Sequence, residues 1–123
     1  MKKLLALALC AIIALSAITA TCETKDLEKI KANLETNVPG KLTVATSPGF
    51  APYEFYAIAE DRTPVLAGCD IALAKYIAEY LGLELEIIPM AFDGVLADVT
   101  TGNVDIAISG ITPTDKRKEV MDF

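Results

Sequence analysis

The order of apolar and polar positions divides this chain into three parts. Leu4 to Leu15 holds twelve residues with neither a charge nor a polar side chain, behind the positive start Met1-Lys2-Lys3. Residues 23–40 are charged, with only a weak helical spacing at Leu27, Ile30 and Leu34, which Asn37-Val38-Pro39-Gly40 breaks. From residue 41 onward, strand-like and helix-like patterns alternate. Leu42-Thr43-Val44-Ala45-Thr46 is a β-branched run between Gly40 and Ser47-Pro48-Gly49, which predicts a strand closed by a tight loop. Tyr53 to Ile58 and Thr63 to Ala67 are extended pieces around Glu60-Asp61-Arg62, a small hairpin or a looser excursion. Asp70 is placed to cap a helix running to about Leu81, with Leu73, Ala74, Ile77, Ala78 and Leu81 on one stripe and Gly82 as its stop. Leu83 to Pro89 begins by alternating, as a strand near a sheet edge does. Asp93 opens a second helix to about Thr101, ended by Gly102. Val104 to Ser109 reads as an apolar central strand, Gly110 to Pro113 as a loop, and Thr114 as the N-cap of a last helix through Met121.

Strands that alternate with short helices predict an α/β fold, with a parallel sheet and right-handed crossovers. Ligands of such sheets sit beyond the carboxyl ends of the strands. The segments Ser47–Tyr53 and Ser109–Arg117 both leave strands at that end, so they are expected to face one crevice. Three strands and three helices bury only a thin core, which is what part of a domain looks like.

Composition narrows the functions. The net charge of the whole chain is −6, and from Cys22 onward nine basic and 17 acidic side chains give −8. No basic cluster is large enough to neutralise a run of phosphates, and the same acidity argues against a polybasic membrane contact. There is no histidine, which removes Ser–His and Cys–His catalysis and every His-ligated metal site. No cofactor or metal is expected.

The first 21 residues have the charged, apolar and small-residue layout of a secretory signal peptide. Cys22 follows directly, as in a bacterial lipobox, although Ile18-Thr19-Ala20-Thr21 departs from the usual residues. Cys22 is therefore the candidate lipidation site, with an ordinary exported protein as the alternative. Two lipid attachments there would hold the protein firmly at a membrane. Cys10 leaves with the leader, so Cys69 has no internal disulfide partner and is expected to be a small buried hydrophobe. Residues 22–40 read as a tether.

The richest chemistry lies at residues 109–119. Ser109-Gly110-Ile111-Thr112 ends a strand and Thr114-Asp115-Lys116-Arg117 begins a helix. Backbone N–H groups at a helix start, the Thr112 hydroxyl and the forked Arg117 guanidinium suit one small carboxylate, and Gly110 permits close approach. Arg117 fits equally well as an exposed charge beside Lys116 and Lys118, and the residues alone leave both open. Glu54 is the one carboxylate near the first loop, and is expected to face solvent or to cap locally.

Four segments in register carry a resemblance. They are Leu42 to Phe55, Gly68-Cys69-Asp70-Ile71-Ala72-Leu73-Ala74, Phe92-Asp93-Gly94-Val95-Leu96 through Gly102-Asn103-Val104-Asp105, and Ser109 to Arg117 followed by Val120-Met121-Asp122-Phe123. Together they resemble the solute-binding proteins of polar amino acid ABC transporters. The resemblance implies a periplasmic-binding-protein-like fold of type II, with residues 41–123 as the first part of its N-terminal lobe: a small parallel sheet flanked by helices, lacking the hinge and second lobe. It implies that Arg117 grips a ligand α-carboxylate with the Thr112 N–H, and that the Gly110 carbonyl and Thr112 hydroxyl take the α-ammonium. Phe50 and Phe92 would sandwich the ligand stem, while Tyr53 is expected in the core rather than at the entrance. The implied protein is a monomer outside the cytoplasm that binds an L-amino acid and hands it to a permease. Enzymes on the same fold, dehydratase-like or murein-cleaving, and membrane sensors are the alternatives. Ser47 stands where many members have Asp or Glu, which argues against a basic ligand, and Cys69 replaces an aromatic residue. The excursion from Ala57 to Ala67 is longer than the usual hairpin.

Overall fold

The computed structural model describes residues 26–123; the leader and Cys22 lie outside the described residues. Two compact units are present, the first reaching Leu34 and the second running from Glu35 to Phe123. In the first, residues 26–32 are helical, and the Asn33 amide donates to the Lys29 carbonyl.

The second unit is built on β1, Lys41–Thr46. Leu42 to Thr46 are all buried, so this strand is covered on both faces. Leu42 and Val44 point to one side and pack with Ala74 and Ala78 of helix Cys69–Leu81. Ala45 points to the other and packs with Val104 and with Val95 of helix Phe92–Thr101. Strands β4 (Glu84–Pro89) and β5 (Ile106–Ala107) flank β1, both parallel to it. β2 (Phe55–Ile58) and β3 (Pro64–Ala67) form the expected antiparallel hairpin. Arg62 in its turn has a left-handed φ of 69°. The α/β class, the parallel sheet and the glycine stops at Gly82 and Gly102 follow the sequence pattern.

Several local expectations are corrected. The central strand is β1, and β5 lies at an edge with two residues in place of six. Side chains take over the ladder at both of its ends. The Asp105 carboxylate accepts the Thr43 N–H at 2.7 Å, and the Ser109 hydroxyl accepts the Ser47 N–H at 2.9 Å. Leu73 is exposed, and Ile71 joins Ala74 and Ala78 as the buried stripe of its helix. Asp70 lies in the first turn of that helix while Gly68 holds the cap position. No side-chain cap is needed, because the Cys69 and Asp70 N–H groups donate to the Pro52 and Tyr53 carbonyls at 3.1 and 3.0 Å. Ala91 likewise occupies the cap position of helix Phe92–Thr101. The last helix is the single turn Asp115–Lys118, with Thr114 as its N-cap as the sequence predicts.

Candidate functional site

Because β1 and β5 run parallel, the loops after Thr46 and Ser109 leave the same end of the sheet and meet there. Their meeting is a chain of hydrogen bonds. The Ser47 N–H donates to the Ser109 hydroxyl, which in turn donates to Glu54 Oε1 at 2.9 Å. Glu54 also shapes the first loop through its backbone, since its carbonyl accepts the Gly49 and Phe50 N–H groups at 2.9 and 2.8 Å. The Ala51–Pro52 peptide is cis. That turn places Phe50 at the surface, stacked on Tyr53 with ring centres 5.2 Å apart.

Gly110 stands across from Phe50. A Cβ on Gly110 would lie 3.3 Å from Phe50 Cδ1, so the ring rests against the backbone at a point where only glycine leaves ordinary contact distance. Phe92, the first residue of its helix, completes the walls. Phe50, Phe92 and Gly110 line one open cleft of about 390 Å³ with Ser47, Pro48 and Gly49, above the buried Glu54 and Ser109. Arg117 reaches this group through Phe92, with its guanidinium carbon 5.5 Å from the ring centre. Its Nη1 donates to the Thr112 carbonyl at 2.9 Å. Arg117 also borders a neighbouring groove of about 540 Å³ with Leu96, Thr100 and Thr114. The structure therefore gathers Phe50, Phe92 and Gly110 into one cleft; Arg117 meets only its Phe92 wall and borders the neighbouring groove, and Thr112 is tied to Arg117 rather than to the cleft lining.

Three sequence expectations fail here. Tyr53 is exposed at the ring stack and is not in the core. Cys69 is exposed, its thiol beside the Asp70 carboxylate rather than in an apolar pocket. Glu54 is turned inward and is only 1% exposed. Burial pushes its carboxyl above the ordinary glutamate range, the Ser109 hydroxyl pulls it back, and the charge and hydrogen-bonding reach of Asp70 raise it further. Glu54 Oε2 and Thr46 Oγ1 are buried without a hydrogen-bond partner, a cost of about 1–3 kcal/mol each. The sequence did hold a signal for this. A single charge inside Tyr53-Glu54-Phe55-Tyr56 is out of place in an apolar run unless it is buried against a partner.

A second polar knot lies at the opposite end of β5. Asp105 accepts the Thr43 N–H and hydroxyl on one oxygen and the Asn37 N–H on the other. Desolvation raises this carboxyl, but the Thr43 hydroxyl and the two N–H donors outweigh it and bring it below the ordinary aspartate value. Among the described residues, no group of three or more His, Cys, Asp or Glu is placed to hold a metal ion. No helix among them is long and apolar enough to cross a membrane.

Comparison with known proteins places this geometry. Residues 42–123 match the bacterial extracellular solute-binding proteins, family 3. The arginine-binding extracellular protein ArtP of Bacillus subtilis is 34% identical over 83 residues, which is 68% of this chain and 31% of ArtP. A substrate-binding protein of an amino acid ABC transporter, AbpA from Streptococcus pneumoniae, was solved bound to L-arginine. It superposes with a TM-score of 0.66 at 48% identity, covering 78% of this chain and 38% of its own. The arginine-bound form of domain 1 from TmArgBP, of T. maritima, superposes with a TM-score of 0.57 at 40% identity, covering 74% of this chain and 64% of that domain. This chain thus spans well under half the length of ArtP and AbpA.

Proposed function

The chain belongs to the bacterial extracellular solute-binding proteins of family 3, and from that membership we propose that it supplies the first-lobe half of a site that binds an L-amino acid for an ABC transporter permease. One observation carries the reading: the cleft walled by Phe50, Phe92 and Gly110 has Arg117 fixed at its edge over Phe92. A guanidinium has five N–H donors. One points at the Thr112 carbonyl, and the fork keeps others for a carboxylate. Phe50 and Phe92 offer apolar faces to the ligand stem and tolerate a nearby cation. The Gly110 carbonyl and the Thr112 hydroxyl receive the α-ammonium.

The proposed ligand is arginine. Ser47 had argued against a basic amino acid, but arginine is the ligand bound in AbpA and in domain 1 of TmArgBP, at 48% and 40% identity. The TmArgBP structure also supports the division of labour, since there a first domain holds arginine. The site is proposed to bind without chemistry. Glu54, the carboxylate in the cleft lining, is buried against Ser109.

The same reading assigns residues 1–21 to an export signal, 22–40 to a tether and 41–123 to the first part of the lobe. Cys22 is its lipid anchor, and the protein acts as a monomer at the outer face of the cytoplasmic membrane. Calorimetric titration of the intact protein with the common L-amino acids tests the site. Saturable binding of arginine at micromolar or tighter affinity, about −8 kcal/mol or better, supports it. Heat from none of them overturns it.

A further inference from the structure

We propose that Glu54 is a positioning residue for this site, its buried carboxyl pinning the loop that carries Phe50 to the tip of β5 that carries Gly110. The inference rests on reading the cleft as an amino-acid site. The geometry is unusual in that one residue serves both sides. The Glu54 backbone carbonyl accepts the Gly49 and Phe50 N–H groups and so fixes the turn that presents Phe50. The Glu54 side chain accepts from Ser109, whose oxygen accepts the Ser47 N–H, and Gly110 follows Ser109 directly. Phe50 and Gly110 are already at contact distance. A small shift of either loop therefore alters the cleft wall directly, and a binding site tolerates about 0.5 Å of such error.

The surroundings of Glu54 also show which of its oxygens does this. Ser109 satisfies Oε1, while Oε2 is buried without a donor. The titratable group acting on Glu54 is Asp70, in the first turn of helix Cys69–Leu81, and Asp70 itself carries the Cys69 thiol. No lysine or arginine among the described residues forms an ion pair with Glu54. The tie is the Ser109 hydroxyl on Oε1, and an amide of the same shape keeps that acceptor.

The test measures L-arginine binding by calorimetry on the intact protein near neutral pH, for wild type, Glu54→Gln, Glu54→Ala and Ser109→Ala, with folding followed by circular dichroism. Glu54→Gln binds within about threefold of wild type, while the two alanine variants bind about tenfold or more weakly because the tie is cut. The proposal is overturned if folded Glu54→Ala binds like wild type, or if Glu54→Gln loses as much as alanine. Should Glu54→Ala fail to fold, Ser109→Ala decides, and wild-type affinity in the folded Ser109→Ala variant overturns the proposal. A wild type that binds no amino acid is a separate result, because it removes the reading of the cleft itself.

Discussion

Arg117 lies over the face of Phe92, its guanidinium carbon 5.5 Å from the ring centre, while its Nη1 is held by the Thr112 carbonyl at 2.9 Å. The side chain is thus fixed from two directions before any ligand arrives, so little rotamer freedom remains to be lost on binding. Arg117→Ala in the intact protein is expected to weaken amino-acid binding by about 1.5–3 kcal/mol, the range for a hydrogen bond to a charged group. Arg117→Lys keeps the charge and loses the fork, and is expected to recover only part of that. Calorimetry reads both, and an unchanged affinity in Arg117→Ala would take the residue out of the site.

Phe92 contributes in two ways, as a wall of the cleft and as the platform beneath Arg117. Phe92→Leu preserves much of the apolar volume and removes the platform, so it is expected to cost about 0.5–2 kcal/mol of binding. A double-mutant cycle with Arg117→Ala separates the two contributions. The effects should be non-additive, with a coupling of about 0.5 kcal/mol or more between touching side chains. Strict additivity would mean that Phe92 acts on the ligand alone.

Gly68 has φ 122° and ψ 172°, and a Cβ there would stand 2.0 Å from the Tyr53 carbonyl oxygen. That carbonyl is the acceptor for the Asp70 N–H at the start of helix Cys69–Leu81. Gly68→Ala must therefore strain the backbone and also push apart the helix start and the Phe50 loop. Strain alone costs about 1–3 kcal/mol, and the broken contact adds to it. Urea unfolding of the intact protein is expected to show the midpoint falling accordingly, and a midpoint within error of wild type would contradict the close approach.

The framework was legible because it rests on periodicity and punctuation. The apolar run Leu42–Thr46, the stops Gly82 and Gly102, and the cap Thr114 each act within a few residues of where they appear. Phe50 and Phe92 were legible as cleft residues only through the resemblance, since they carry no local mark of a binding role. What stayed hidden depends on partners far along the chain. Glu54 is buried because Ser109, 55 residues later, meets its carboxyl. Helix Cys69–Leu81 needs no side-chain cap because Pro52 and Tyr53 supply carbonyls. β5 is short because the Asp105 side chain replaces a ladder bond to Thr43. Local propensity holds no information about such long-range polar ties.

Asp105 gives a prediction in acid. Its carboxylate holds the Thr43 N–H and hydroxyl and the Asn37 N–H, and Thr43 is buried. Its folded-state value lies below the ordinary 3.8. A depressed carboxyl stabilises the fold fully above that ordinary value, and the contribution is lost as pH falls through the lower folded one. Glu54 has the opposite sign: raised from 4.5, it favours the fold below that value and its contribution is lost as pH rises through the folded one. Asp105→Asn replaces one acceptor oxygen with an NH₂ that faces donors. It is expected to destabilise the protein by about 1–3 kcal/mol near neutral pH and to flatten the acid limb of the stability curve, while leaving the decline at higher pH in place. Urea midpoints measured from acid to neutral pH for wild type and Asp105→Asn check this. If the variant kept the full acid limb, the loss of stability in acid would have to arise at another carboxylate.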